Sequence, residues 1–433
     1  MSRRRAAKAK GPPPGELQFD GNFESGNIGG VTRVNEAEFD LSIRPDTNNP
    51  RFRLWFYFRV RNARAGQRVL FNVVNLCKTR SLYRDGMAPC FRTSFSPKWE
   101  RLPSKGVYYY RCPAHGHSYI MSFVYVFERS DAEYYFSYCF PYTYTELQRY
   151  LYRIERRQLP YVQREQVART LQHRRLDMLT ITNPDAGPKV ATVFVTARVH
   201  PGETPASFAC QGLIDWLISD EPTASRLRDR AVVKVVPMLN PDGVFLGNYR
   251  CSYIGVDLNR EWQAPGPLAP ELVAVKGLLE DAASSDPPLA IFIDIHSHSA
   301  KLSSFMYCNS HEEAARLEGE TVLPNLMEGR SPHFSLSHSK FCRDPSKAGS
   351  GRRALAFTNA HCYTFEISNF GALERGAGGV VPFDMEGYTE LGRSLGGAIA
   401  DFFGAAPKRR DRGDGGGGGG GSGGGAGGGG GGS

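Results

Sequence analysis

The segment Arg198-Val-His-Pro-Gly-Glu203 constrains this chain more than any other. It sets an imidazole and a carboxylate three residues apart, directly after an apolar run, Val190 to Val199, that reads as a buried strand. Two ligands on the turn that leaves a central strand have rigid backbone on one side and an open cleft on the other. Zinc catalysis asks for three protein ligands and a free fourth position. A second apolar run ends in Phe292-Ile-Asp-Ile-His296-Ser-His298-Ser299 and offers the third ligand. His296 and His298 face one side of an extended strand. Only one is needed; His296, nearer the strand body, is the expected ligand, and His298 then lines the pocket or stands behind a ligand.

The chain has 433 residues, more than one domain of usual size and enough for two. Gly415 to Ser433 contains only Gly, Ser and Ala, which cannot build a core, so residues 406–433 are expected to be a flexible tail. The formal charge of +9 sits mostly at the ends. Arg3, Arg4, Arg5, Lys8 and Lys10 lie in an expected basic arm, residues 1–16, and Lys408 to Asp414 adds further positive charge. The body is near neutral and shows no nucleic-acid-binding module, so no nucleic-acid partner is expected. No apolar run is long enough to span a membrane. Gly11-Pro-Pro-Pro-Gly15 stands where a secretory signal would have its apolar region, so none is expected. Nine scattered cysteines, an odd number, point to free thiols in a reducing, cytosolic compartment.

Residues 17–144 alternate short β-branched or aromatic runs with turns such as Pro45-Asp-Thr-Asn-Asn-Pro50, the pattern of an antiparallel β-sandwich. Strands are expected over Glu38–Ile43, Phe52–Val60, Arg68–Val74, Gly106–Arg111, Tyr119–Phe127 and Tyr134–Phe140. Thr145 reads as the N-cap of a helix over Glu146–Arg156. From there to residue 405 apolar strands alternate with helices. Strands are expected at Val190, Val232–Leu239, Leu289–Ile295 and Cys362–Ile367, and helices over Pro205–Ser219, Pro270–Ala283 and Met385–Phe403. The layout is α/β, a mixed sheet flanked by helices, in which sites form beyond the C-terminal strand ends.

Three further groups carry chemistry. Arg250, Asn259 and Arg260 are donors clustered after a buried strand; an Arg fork with an amide suits a terminal carboxylate, and a second Arg can hold a developing oxyanion. Asp257 can orient a metal-bound imidazole through its other ring nitrogen. Glu366, alone inside the apolar strand Tyr363-Thr-Phe-Glu-Ile367, is placed as the general base that takes a proton from water and passes it to the leaving amine. Cys112-Pro-Ala-His115-Gly-His117 has ligand residue types but lies in the β-rich half with no partner cluster, so no metal is expected there.

Taken together, His-x-x-Glu, Asn-Arg, a distant His and a late strand Glu resemble the zinc metallocarboxypeptidases of the carboxypeptidase A clan. His200-Pro-Gly-Glu203, Asn240-Pro-Asp-Gly243 with Gly247-Asn-Tyr-Arg250, and His296-Ser-His298-Ser299 are similar to the cytosolic carboxypeptidase subfamily. Phe23-Glu-Ser-Gly-Asn27, Tyr83-Arg-Asp-Gly-Met-Ala-Pro89 and Pro141-Tyr-Thr-Tyr-Thr145 resemble its N-terminal β domain, so the likeness runs from about Leu17 to Phe403. The resemblance implies one Zn2+ per chain on His200, Glu203 and His296. It implies Glu366 as base, Arg250 at the oxyanion, Asn259 and Arg260 at the terminal carboxylate, and Asp257 behind the first zinc histidine. It also implies glutamate-rich C-termini and polyglutamylated tubulin as partners, a deglutamylase activity, and a place in the cytosol at microtubule structures such as centrioles or basal bodies. A basic residue in the side-chain pocket falls on Arg352 in preference to Arg353, which suits glutamate and rejects apolar side chains. Two other classes share part of this pattern. A zinc amidohydrolase or deacylase would ignore amidation of the substrate C-terminus, and a non-catalytic binder of acidic tails would show no turnover.

Overall fold

Ten short strands fill the first third of the chain because bulky apolar and aromatic residues recur there at period two. The computed structural model describes residues 13–405 apart from 357, 375 and 377; most of the expected basic arm and the whole glycine-rich tail lie outside the described residues. The strands are β1 (Gln18–Asp20), β2 (Gly30–Asn35), β3 (Glu38–Ser42), β4 (Tyr57–Arg61), β5 (Arg68–Leu76), β6 (Cys90–Thr93), β7 (Glu100–Arg101), β8 (Val107–Cys112), β9 (Ser118–Val126) and β10 (Tyr134–Ser137). They form two five-stranded sheets, ordered β1-β4-β10-β6-β7 and β2-β3-β5-β9-β8. Pairing is antiparallel except between β3 and β5. Phe58, Phe71, Phe123 and Phe136 are buried between the sheets, with ring centroids 5.2–6.2 Å apart along the cluster. β4 starts later than the expected strand at Phe52, and β10 ends before Phe140.

Helix α1 (Tyr144–Glu155) follows. Its N-cap is Thr143 and not Thr145. The Thr143 hydroxyl accepts from the Glu146 N–H while the Glu146 carboxylate takes the Thr143 N–H, a reciprocal pair that fixes the helix start two residues early.

The rest of the chain is built on an eight-stranded sheet. Its strands are β11 (Val162–Arg169), β12 (Arg175–Ile181), β13 (Ala191–Ala197), β14 (Ala231–Val236), β15 (Leu289–His298), β16 (Ser304–Asn309), β17 (Lys340–Cys342) and β18 (His361–Ser368), in the order β11-β12-β14-β13-β15-β18-β16-β17. The central neighbours β14, β13, β15 and β18 are parallel, and the antiparallel pairs lie outside them. A small antiparallel pair, β19 (Gly371–Leu373) and β20 (Val380–Pro382), follows β18. The helices are α2 (Thr204–Leu217), α3 (Pro222–Arg230), α4 (Pro241–Leu246), α5 (Pro270–Ser284), α6 (Ala314–Arg330), α7 (Gly351–Ala354) and α8 (Met385–Ala405). Alternation divides the central strands between two cores. Val193, Val195, Ile291, Ile293 and Phe365 pack in the core that includes α2 and α8 residues, while Phe194, Phe292 and Cys362 pack with Leu272, Val275 and Leu279 of α5. Helix α6 was not evident in the sequence, because Pro324 lies inside it and reads as a break. Among the described residues no helix is long and apolar enough to cross a membrane. All nine cysteines are free.

Glycines let α2 and α8 touch backbone to backbone. A Cβ on Gly212 would lie 1.9 Å from the Thr389 carbonyl oxygen, and one on Gly392 would lie 1.9 Å from that of Ala209. Gly277, inside α5, has open space where its Cβ would be. Gly392→Ala should therefore destabilise the protein by about 1–3 kcal/mol through overpacking, whereas Gly277→Ala should stabilise it by about 0.5–1 kcal/mol through lost unfolded-state freedom. Thermal denaturation of the two variants beside wild type measures the opposite shifts.

Candidate metal centre and substrate cleft

Strand β13 ends at Ala197, and the chain then turns sharply through Arg198, which sits in the left-handed region at φ 61°. The strain of a bulky residue there needs compensation from its surroundings. The buried guanidinium provides it: Nε donates to the Pro201 carbonyl at 2.7 Å, and Nη1 donates to Ser207 Oγ at 2.8 Å and to the Tyr142 carbonyl at 3.1 Å. Gly202 completes the turn, since a Cβ there would meet the Tyr249 ring at 2.7 Å. The result brings His200 and Glu203 to one point, with Glu203 at the N-cap of α2, where the helix dipole favours a carboxylate.

His296 reaches the same point from β15. His200 Nδ1 lies 2.8 Å from Glu203 Oε1, His296 Nδ1 lies 3.0 Å from Glu203 Oε2, and the two Nδ1 atoms are 3.2 Å apart. The three residues are buried and form the one group of metal-ligand type found among the described residues. The donor set fits a divalent metal on chemical grounds. His200 Nε2 faces Asp257 Oδ1 at 3.1 Å and His296 Nε2 faces Asp294 Oδ2 at 2.6 Å. Each far nitrogen thus carries its proton toward a carboxylate, which leaves both Nδ1 lone pairs turned inward on a third anionic donor. The electrostatics show the same demand for a cation. Burial acts to lower the His296 pKa, yet Asp294 and Glu203 outweigh it and hold the imidazole well above its ordinary range. Burial acts to raise Glu203, yet His200 and His296 hold it well below. Two imidazoles and one carboxylate are a donor set of catalytic zinc sites.

Arg250, Asn259, Arg260, Arg352 and Glu366 line one cleft of about 690 Å³ beside this point, and Asp257 lies behind His200. Parallel pairing sets His296 beside Glu366, whose carboxyl is pushed by burial up to about 7. Asp257 joins two groups: Oδ1 faces His200 while Oδ2 accepts from Arg250 Nε at 2.7 Å. Burial raises the Asp257 pKa, but His200 and then Arg250 outweigh it and hold the group far below the usual carboxylate range. Asn259 Oδ1 accepts the Gly351 N–H at 3.1 Å, which orients its amide. Its Nδ2 lies 3.3 Å from His296 Nε2, whose proton is already committed to Asp294, so the amide N–H groups remain for the cleft. Among the described residues the Arg260 side chain makes one hydrogen bond, Nη1 to the Asn259 carbonyl at 2.7 Å. Gly349 makes this arrangement possible by passing where a Cβ would meet the Arg260 carbonyl oxygen at 2.0 Å.

Of the two candidate pocket arginines, Arg352 lines the cleft and Arg353 is not among its lining residues. The buried Arg352 uses Nη1 on the Cys308 carbonyl at 2.8 Å and on Asn309 Oδ1 at 2.6 Å; among the described residues Nη2 has only Cys342 Sγ at 4.0 Å, and Nε has no partner. His298 lines the cleft, and burial lowers its pKa to about 4. The structure does not draw Cys112, His115 and His117 together as a ligand group; His115 pairs with Asp40 at 3.3 Å.

Two residues at this site were missed in the sequence. Asp294 stands two residues before His296, so period-two alternation puts both on one sheet face, and that spacing was a usable signal. Thr196 Oγ1 fixes its other oxygen at 2.8 Å. Asp46 lay in a segment that reads only as a turn. Its buried carboxylate accepts the Tyr249 N–H at 2.6 Å and the Arg250 and Cys251 N–H groups at 2.7 Å.

Comparison with known proteins agrees with this geometry. Residues 147–328 match the family model described as zinc carboxypeptidase, and residues 19–132 match that of the cytosolic carboxypeptidase N-terminal domain. The chain is 49% identical over 405 residues to cytosolic carboxypeptidase 6 of Homo sapiens, covering 92% of this chain and 80% of that protein. It is 41% identical to cytosolic carboxypeptidase 6 of Caenorhabditis elegans, covering 91% and 89%. A crystal structure of a metallo-carboxypeptidase from Burkholderia cenocepacia shares the fold, with a TM-score of 0.77 at 24% identity over 90% of this chain and 99% of that one.

If Asp294 holds the His296 ring as described, Asp294→Ala should weaken zinc binding by about 10–100-fold. Competition with a chromogenic chelator measures this without reference to turnover, and an unchanged affinity would remove Asp294 from the centre.

Proposed function

This chain belongs to the cytosolic carboxypeptidase family and is a zinc metallocarboxypeptidase; we propose that it removes glutamates one at a time from acidic C-termini and from polyglutamate side chains such as those of tubulin. The observation that carries this reading is the charge of the cleft. Its acidic lining residues are Glu203, Asp344 and Glu366. Among the basic ones Arg250 is paired with Asp257, but Lys78, Arg80, Arg260, Lys340, Lys347 and Arg352 have no carboxylate within ion-pair distance among the described residues. A guanidinium as buried as that of Arg352 is costly without a counter-charge. A glutamate side chain in the pocket supplies one, and an apolar side chain does not. Lys78 and Arg80 reach the cleft from the chain after β5, where the upstream residues of an acidic tail would run.

In this reading His200, Glu203 and His296 hold one zinc ion per chain. A zinc ion there supplies Lewis acidity that polarises a carbonyl and lowers the pKa of water toward about 7. The rest is done by the chain's own groups. Asn259 and Arg260 bind the terminal carboxylate and so restrict cleavage to chain ends, while Arg352 binds the last side chain. Glu366 takes a proton from the attacking water and delivers it to the leaving amine. A carboxyl poised near neutrality can do both. Arg250, fixed by Asp257, donates to the oxyanion that forms as water adds to the scissile carbonyl. The cytosol, at microtubule structures such as centrioles or basal bodies, is the proposed place of work.

Mass spectrometry of a synthetic peptide ending in several glutamates tests the reaction. Wild type should shorten it stepwise, Glu366→Gln should retain zinc without turnover, and an amidated peptide should resist. Cleavage of the amidated peptide would favour the deacylase reading, and zinc-loaded wild type without turnover would favour a binder of acidic tails. Arg352→Met should lower kcat/KM on glutamate ends by roughly 30-fold or more, the usual consequence of losing one partner of a buried charge pair. An equal loss on alanine ends would place Arg352 outside the side-chain pocket.

A further inference from the structure

We infer that Asp46, in the connection between β3 and β4, is a positioning residue for the oxyanion group, acting through the backbone that carries Arg250. The inference rests on the proposed role of Arg250. Four consecutive residues, Asp46 to Asn49, clasp one stretch of the catalytic half. Asp46 accepts three successive backbone N–H groups, those of Tyr249, Arg250 and Cys251. The Thr47 N–H and hydroxyl both donate to Asn248 Oδ1, at 3.1 and 3.0 Å. Asn48 Nδ2 donates to the Tyr253 carbonyl at 3.1 Å, and Asn49 Nδ2 to that of Gly255 at 2.9 Å.

The clasped stretch belongs to neither a strand nor a helix. Regular hydrogen bonding therefore does not set the direction in which the Arg250 side chain leaves the backbone. Beyond the backbone, the side chain has one ion pair among the described residues, with Asp257, and a position 5.7 Å from the Phe52 ring, another residue of the N-terminal half. A carboxylate is the one side chain that can accept three converging N–H donors with no donor of its own. An amide in its place turns an NH2 toward at least one of them, in either orientation, and that backbone group must move away. Displacement of a catalytic group by about 1 Å can cost on the order of 10²-fold in rate. Because the oxyanion exists only after water has added, the loss falls on kcat and leaves KM almost unchanged.

The test is a double-mutant cycle of Asp46→Asn and Arg250→Ala in the full chain, with kcat and KM read on a glutamate-ended peptide and values corrected for zinc content. Arg250→Ala should lower kcat by about 10²–10³-fold. Asp46→Asn should lower kcat at least tenfold with KM within about threefold, and should cost nothing further when Arg250 is already alanine. A merely structural role would lower kcat by the same factor in both backgrounds, and that result, or an unchanged kcat for Asp46→Asn, overturns the inference. Full kcat in Arg250→Ala alone would instead overturn the proposed role of Arg250, and this inference with it. Should Asp46→Asn fail to fold, Thr47→Val, which removes the neighbouring hydroxyl bond, enters the same cycle. It should show a smaller loss with the same dependence on Arg250, and a loss independent of Arg250 again counts against the inference.

Discussion

Two imidazole Nδ1 atoms and a carboxylate face one another inside this protein at separations near 3 Å, an arrangement that calls for a shared positive charge, whether a proton or a metal ion. Much of the surrounding structure holds that arrangement in place. The parallel register of β13 and β15 sets Thr196 beside Asp294, and Asp294 holds the ring of His296. The strained turn at Arg198 is fastened to its own carbonyls and to the first turn of α2, so His200 and Glu203 cannot drift apart. Asp257 takes the far side of His200 and ties it to Arg250, which makes the His200, Glu203 and His296 group and the Arg250 guanidinium one continuous network. The Ser297 N–H donates to Glu203 Oε2 at 2.9 Å, so even the third donor is held by the backbone of a ligand strand.

The N-terminal half is part of the same construction. It supplies Asp46 beneath the Arg250 backbone, Phe52 beside the guanidinium, and Lys78 and Arg80 in the cleft wall. Arg101 of β7 reaches further, donating to the Asn369 carbonyl at 2.8 Å just beyond β18. These contacts join residues some 200 or more positions apart, and the groups that make them are buried or half-buried. Polar groups of this kind lose water on folding and regain bonds only in one relative placement of the two halves, which favours a single geometry.

Residues whose role follows from local periodicity were legible in the sequence. An apolar run ending in His-x-x-Glu announced a strand, a turn and a ligand pair, and the two-residue period would have given Asp294 as well as His296. The α/β layout followed for the same reason, since buried parallel strands write themselves as continuous apolar runs. Residues whose role depends on a distant partner were not legible. Asp46 looks like an ordinary turn carboxylate until the chain near Tyr249 folds against it. Nothing in Arg352-Arg353 states which guanidinium faces the cleft, because that depends on how Gly349 lets the preceding loop lie against Arg260. The start of α1 was misread for a smaller reason. Thr143 and Thr145 are both good caps, and only the reciprocal bond to Glu146 decides between them.

The clasp between Asp46–Asn49 and the Tyr249 stretch has a consequence for how the cleft can open. A hinge that opened the cleft between the two halves would have to strip Asp46 of three backbone N–H groups at once, two of those bonds buried. The cleft wall beside Arg250 is thus set when the chain folds.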